Sequence, residues 1–287
     1  MWRIFVVQWG GAEVIPNNLK KYVRGKAKLV ELIRNMSNLF AKIKFRLNGK
    51  LENCDELLFA NYETQKYLEK LRRHHGKVMT EVGMDDVCVR RKEIESPVKF
   101  LVIGRLIYRK GVVFLLDALS RLPQGDSYVL KIVGEGPELS TIQKFIKKKM
   151  LENHVKIIKP VPFIEMKKIY MGSDVLILPS LRETTGTVLV EALSYGLPVI
   201  TINQFGGKVV LDKSVAWFYS GDTKDEILLS LINILHECIN DPDLIMKKSN
   251  AALEKSKNYT WENKYRKYSE LYQSIIKEHD EIFMELR

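Results

Sequence analysis

Glu183 and Glu191 lie eight positions apart in the run Ser180-Leu-Arg-Glu-Thr-Thr-Gly-Thr-Val-Leu-Val-Glu-Ala-Leu-Ser-Tyr-Gly-Leu-Pro-Val-Ile200. Carboxylates accept hydrogen bonds from hydroxyl groups, so two of them around one turn can hold a polyhydroxylated ligand. Between them stand Gly186 and Thr187, followed by apolar residues at Val188, Leu189, Ala192 and Leu193, the spacing of one helix face. A helix starting there offers unpaired N–H groups that suit an anion. The preceding run, Asp174-Val-Leu-Ile-Leu-Pro179, has the continuous apolar character of a buried parallel strand. The pattern therefore predicts Glu183 on a loop at the carboxyl end of a strand, with Glu191 one to two turns into the next helix. An acid, an anion site and a second acid fit a sugar attached to a diphosphate. The spacing alone also fits a plainer role, in which a glutamate near a helix start offsets the helix dipole.

A second loop carries cations. Gly104-Arg105-Leu-Ile-Tyr-Arg-Lys110-Gly111 follows the apolar run Val98–Ile103 and places Arg105 and Lys110 close together in sequence. A nucleoside diphosphate leaving group gains negative charge as its glycosidic bond breaks, and cations held beside it stabilise that charge most in the transition state. The alternative is an ordinary basic loop, and Arg109 is a third cation without an assigned role. Gly134-Glu-Gly-Pro137 ends another apolar run. It reads either as a tight strand-to-helix turn with Pro at the first helical position or as backbone that lies close to a ligand.

Leu-Pro-Ser-x-x-Glu, then Gly, then Glu-Ala-Leu, then Gly-Leu-Pro-Val-Ile resembles the donor-binding signature of retaining glycosyltransferases of family four, which have the GT-B fold. Gly-Arg-Leu…Lys-Gly and Gly-Glu-Gly-Pro are similar to two further stretches of that family. The resemblance implies that Glu183 contacts donor sugar hydroxyls near the reacting carbon and that Glu191 holds the ribose hydroxyls. It implies that Arg105 and Lys110 bind the two phosphates, and that Gly134 and Gly136 line the site. It also implies a nucleotide-sugar donor as substrate, no metal and no separate cofactor. Two departures bear on specificity. Val161 stands where the family usually has glycine, beside the backbone that holds the base. Thr184-Thr185 replaces a frequent glycine and aromatic pair. Threonine hydroxyls can bond phosphate or sugar hydroxyls, so Thr185 joins Gly186 and Thr187 as an expected donor-binding residue. The family's donor-contacting histidine of the first domain has no match here.

These loops must be positioned by something regular. Strand patterns at Val98–Ile103, Tyr128–Val133, Val155–Ile158, Asp174–Pro179 and Pro198–Thr201 alternate with helical patterns at Gly111–Leu122, Pro137–Met150 and Phe163–Met171. Such alternation predicts a parallel sheet with helices on both faces, whose ligands bind at the carboxyl ends of the strands. The expected fold class is α/β and GT-B-like, with a complete C-terminal Rossmann-like domain over residues 98–258. Residues 259–287 form a last helix that, by resemblance, crosses back to the first domain, with Thr260 as its N-cap. Residues 1–97 carry a strand at Glu56–Asn61 and a helix at Glu63–Arg73, too little for a full acceptor-side domain of the usual size. The expectation is an incomplete N-terminal α/β domain.

At 287 residues and 46% hydrophobic content, the chain is that of a folded protein and not a disordered one. The N-terminus is a poor signal peptide, and no apolar run is long enough to span a bilayer. Cys54, Cys88 and Cys238 are odd in number and widely spaced, which fits a reducing compartment rather than a disulfide framework or zinc site. Asp241-Pro-Asp243 has the form of a metal-binding pair, but between helical segments Asp241 reads as a cap. The five histidines show neither ligand nor triad spacing. A net charge of +11 gathers in clusters at residues 20–28, 42–46, 72–73 and 90–92. No nucleic-acid fold signature accompanies them, so an anionic membrane surface or a merely solvated face remains. The combined expectation is a cytoplasmic enzyme, peripheral at the inner face of the membrane. It would transfer a hexose-type sugar, with retention, from a nucleotide sugar to a glycan or lipid-linked acceptor. The alternatives are a truncated donor-binding or interaction module without transferase activity, and a sugar-nucleotide epimerase of similar fold.

Overall fold

A computed structural model describes residues 6–9, 33, 36, 56–69, 76–85, 93–183, 186–204 and 206–285. Thr184 and Thr185, the four N-terminal basic clusters, Cys54, Cys88 and the His74-His75 pair lie outside the described residues.

The main body is a six-stranded parallel sheet. Its strands are β4 (Val98–Ile103), β5 (Tyr128–Val133), β6 (Val155–Ile158), β7 (Val175–Leu178), β8 (Val199–Ile202) and β9 (Ala216–Tyr219). They stand in the order β6-β5-β4-β7-β8-β9. Because side chains alternate across a strand, a strand buried on both sides must be apolar throughout. Phe100, Leu130, Val175, Ile177 and Ile200 feed one core. Leu101, Leu176, Leu178 and Val199, their neighbours in the chain, feed the other. Each fully buried Leu or Phe contributes roughly 1.5–3 kcal/mol relative to exposure. Helices Val112–Leu119 and Leu139–Lys148 cover the first core, while Phe163–Met171 and Thr187–Ser194 cover the second.

In the main body two helix starts differ from the sequence reading, each for a local reason, and one strand was not expected. Gly111 does not begin its helix; it is the N-cap, at φ 66°, after a 3₁₀ turn over Tyr108–Lys110. The helix after Gly136 starts at Leu139 instead of Pro137, because Glu138 N–H donates to Leu106 O at 3.0 Å and Leu139 N–H to Gly136 O at 3.1 Å. Strand β9 was not expected. It is only four residues long, within the apolar stretch Val215–Tyr219, too short to be told from a buried helix segment by pattern alone.

Beyond the sheet come helices Lys224–Asn240, Pro242–Ser256 and Trp261–Glu285. The first opens on a capping box between Thr223 and Glu226. Asp241 caps the second, its Oδ1 accepting from Leu244 N–H at 2.9 Å. Thr260 Oγ1 accepts from Asn263 N–H at 3.3 Å at the start of the third. A smaller parallel sheet joins β1 (Val6–Trp9), β2 (Glu56–Phe59) and β3 (Lys77–Val78), with the helix Tyr62–Glu69 after β2. Leu58 of β2 shares a buried cluster with Leu271 and Ile275 of the last helix, and Tyr268 packs against it. Among the described residues no helix is long and apolar enough to cross a membrane.

Candidate functional site

The strand order reverses between β4 and β7: the chain runs outward from β4 to β5 and β6, then returns to β7 on the other flank. At such a reversal the loops after the two central strands part and leave a crevice. Here those loops are Gly104–Gly111 and Pro179–Gly186, the two that carry the cations and the first glutamate.

The loops are joined across the crevice. Leu181 N–H donates to Arg109 O at 2.8 Å, and Arg109 Nη1 reaches Arg182 O at 3.5 Å. This gives Arg109 a structural role that its sequence context did not suggest. Gly111 is needed for the close approach: a Cβ there would sit 2.0 Å from Pro179 O. Above this junction Lys110 Nζ is ion-paired with Glu183 Oε2, and Ser180 Oγ donates to the same oxygen at 3.3 Å. The two charged side chains are 17% and 16% exposed, so the pair is partly dehydrated yet open to one side. Ser180 lies within the glutamate motif but carried no assignment from sequence.

On the β5 side a second junction closes the loop from the other flank. Gly104 N–H donates to Val133 O at 3.0 Å and Leu106 N–H to Glu135 O at 2.7 Å. Gly134 and Gly136 take φ of 157° and 152°, and a Cβ on either would strike the backbone of Gly104 or Leu106 at 2.0 and 2.4 Å. Their immediate reason is thus loop-on-loop packing, which leaves bare backbone facing outward. An open cleft of about 740 Å³ lies there, walled by Gly104, Arg105, Gly134, Gly136, Pro160 and Val161 among others. Arg105 is exposed on its wall, and its guanidinium has no partner among the described residues.

Gly186 caps the helix Thr187–Ser194 at φ 66°, ψ 62°, without a side-chain hydrogen bond. Thr187 is exposed at the first helical position. Glu191 is the fifth residue of that helix. Its Oε2 accepts from Tyr170 Oη at 2.5 Å, and the Tyr170 ring stacks on Tyr195 with centroids 4.9 Å apart. Burial, and then the Glu191 carboxylate, push the Tyr170 phenol well above its ordinary range. Tyr170 was missed in the sequence, where it reads as one more apolar position of an amphipathic helix.

The structure therefore brings Lys110 and Glu183 into contact and sets Arg105, Gly134 and Gly136 on one cleft wall. Gly186, Thr187 and Glu191 lie on the β7 side of the crevice, and Thr185 falls outside the described residues. Among the described residues no cluster of His, Cys, Asp or Glu has the grouping of a metal site. His154 stacks on Tyr128 at 4.6 Å, and His236 bonds to Asp126 at 2.9 Å, both away from the crevice.

Comparison with known proteins now adds to this geometry. A family model described as glycosyl transferases group 1 matches residues 89–256. The phosphatidylinositol N-acetylglucosaminyltransferase gpi3 subunit of Schizosaccharomyces pombe is 28% identical over 181 residues, covering 63% of this chain and 39% of that protein. Glycogen synthase of Thermodesulfovibrio yellowstonii is 27% identical over 251 residues, covering 85% of this chain and 49% of that one. The chain thus spans less than half the length of these relatives. HepE of Anabaena, solved in complex with UDP, superposes with a TM-score of 0.67 at 20% identity, covering 87% of this chain and 76% of that chain.

Proposed function

The chain belongs to the glycosyl transferases group 1 family, and from that premise we propose that it binds a nucleoside diphosphate sugar in the β4–β7 crevice and transfers the sugar with retention. The acceptor is a glycan or a lipid-linked saccharide. The observation that carries this reading is the Lys110–Glu183 contact across the crevice, beside the cleft walled by Arg105, Gly134 and Gly136.

On this reading Arg105 and Lys110 lie against the diphosphate and neutralise the charge that grows on it. The bare backbone at Gly134 and Gly136 lets the donor approach closely, and the uncapped N–H groups at Gly186 and Thr187 meet a phosphate oxygen. Thr185 would add a hydroxyl to the same region. Glu183 accepts from hydroxyls of the donor sugar, and its bond to Lys110 fixes its position before the donor arrives. Glu191, held by Tyr170, accepts from the ribose hydroxyls. In the transfer itself, the bond from the anomeric carbon to the phosphate oxygen breaks. The acceptor oxygen bonds to the same face of that carbon, and its proton passes to the departing phosphate oxygen. Positioning and charge stabilisation supply the catalysis. The two cations do the work that a divalent metal does elsewhere, so no metal is required. The supporting relatives include one whose name specifies a phosphatidylinositol acceptor. That supports a chain that works at the cytoplasmic face of a membrane and meets its acceptor there.

The test combines a thermal-shift screen over nucleotide sugars with product analysis, using radiolabelled donor and membrane lipid extract. A donor at a hundred times its dissociation constant adds about 2.7 kcal/mol of stability. A new glycoside supports transfer. A shift without product favours a donor-binding module, an inverted sugar nucleotide favours an epimerase, and no shift from any nucleotide removes the reading.

A further inference from the structure

The sheet ends on β6, an edge strand paired on one side only. An exposed edge invites pairing with other strands, and lysines there discourage it. The surroundings of this edge go further than protection requires. Between Lys144 and Met171 lie eight lysines and two glutamates, a surplus of six positive charges in a chain whose total is +11. Lys144, Lys147, Lys148, Lys156, Lys159 and Lys167 are all exposed.

The same stretch holds the three most exposed large apolar side chains of the described residues: Met150 at 83%, Ile164 at 80% and Phe163 at 79%. Met150 stands five residues before β6 and Phe163 five residues after it, so both lie within about 18 Å of the strand at full extension. Phe163 and Ile164 open their helix behind Pro162, which provides no side-chain cap. Where a polar cap would serve a helix start in water, this one presents an aromatic and a branched aliphatic side chain. Helix Leu139–Lys148 buries Ile142 and Ile146 on one side and turns its lysines outward.

Apolar tips set among lysines match a boundary that is oily inside and negatively charged at its surface. We propose that the β6 edge docks on a bilayer containing anionic lipids. Phe163, Ile164 and Met150 enter the interface, and the surrounding lysines meet the headgroups. The donor cleft opens beside this edge, since Pro160, Val161 and Met166 belong to both the cleft wall and the segment after β6. Docking would hold the donor site at the membrane surface. It depends on the transfer reading for its purpose but not for its test.

The test uses the full chain and vesicle sedimentation without any nucleotide. One set of vesicles is phosphatidylcholine alone; the other includes phosphatidylglycerol. The expected result is binding to the mixed vesicles, weakened by salt, and little binding to neutral ones. Phe163→Ser with Ile164→Ser, and separately Lys147→Glu with Lys148→Glu, should each weaken binding at least tenfold while thermal unfolding stays cooperative. Phe163→Trp should gain a blue-shifted emission component on the mixed vesicles, quenched by brominated lipid. Wild-type affinity in the serine double variant would overturn the proposal and leave the N-terminal basic clusters as the contact. Binding to nucleic acid or an acidic protein with none to vesicles would overturn it as well. Donor binding, measured by calorimetry on the same samples, reports on the transfer reading independently.

Discussion

Replacing Lys110 with Met removes one ammonium and keeps most of the apolar stem. In the free protein the change leaves Glu183 with Ser180 Oγ, at 3.3 Å, as its remaining side-chain partner among the described residues. The pair is 17% and 16% exposed, between a surface ion pair and a buried one. Exposed pairs are worth about 0–1 kcal/mol, whereas breaking a fully buried pair costs roughly 3–5 kcal/mol. A loss of about 2 kcal/mol is expected for Lys110→Met, a fall in Tm of roughly 4–8 °C for a chain of this size. Glu183→Gln should cost less, because the amide oxygen still accepts from Lys110. The double variant should be less destabilised than the sum of the two singles, with a coupling of about 1–2 kcal/mol. Binding separates the roles further. A charge-assisted hydrogen bond to phosphate is worth roughly 1.5–3 kcal/mol, so Lys110→Met should weaken UDP about ten- to hundredfold by calorimetric titration. Glu183→Gln should leave bare UDP no weaker, because it frees Lys110 from a competitor, and should lose the preference for one sugar donor. Unchanged UDP affinity and Tm in Lys110→Met would sink the argument. A larger loss of UDP in Glu183→Gln than in Lys110→Met would reverse the two roles.

Arg105→Ala should weaken UDP about ten- to hundredfold with Tm unchanged, since its side chain has no partner to lose among the described residues; equal affinity would remove it from the site. Tyr170→Phe keeps the ring on Tyr195 but takes the donor from Glu191, so both folding stability and nucleoside affinity should fall, by about 1–2 kcal/mol each, the first read as a lower Tm. A fall in Tm alone would make Tyr170 a packing residue. Gly134→Ala should destabilise by roughly 2–4 kcal/mol and abolish nucleotide binding, because its Cβ would meet Gly104 O at 2.0 Å at a φ of 157°; a normal melting curve would show that the two loops can separate without loss. Burial holds the Lys264 ammonium down at about 8 against an ordinary 10.5, its Nζ donating to Thr80 O. Between those values the unfolded chain binds a proton that the folded chain does not, so stability should rise with pH through that window. The burden is fully present below about pH 8. Urea titrations of wild type and Lys264→Met across the window should differ in slope, and parallel slopes would refute the assignment.

Strands β4, β5 and β6 were legible to the residue, because each is a short run rich in Val, Ile and aromatic residues, broken by a single lysine at Lys99, Lys131 or Lys156. β9 was missed although Val215–Tyr219 is apolar throughout, because so short a run does not by itself distinguish a strand from a buried helix segment. Helix starts were less legible where glycine stands at the turn. Gly111 could open a helix or cap one, and only its clash with Pro179 O shows why the position must lack a side chain. The site divides along the same line. Individual residues could be placed, since each candidate loop follows a strand pattern and Glu191 falls within the helix after one of those loops. Their pairing could not, because Lys110 and Glu183 are 73 positions apart and Tyr170 and Glu191 are 21 apart. Those contacts depend on strand order. If β7 had joined the sheet beside β6 instead of β4, every local pattern in the chain would be unchanged, yet Lys110 would face no carboxylate from the β7 loop. The two-core burial of β4 excludes that arrangement: Phe100 and Leu101 register against Val175 and Leu176, which brings the cationic loop and the glutamate loop out side by side. The chemistry proposed for the crevice thus rests on apolar residues that touch no ligand.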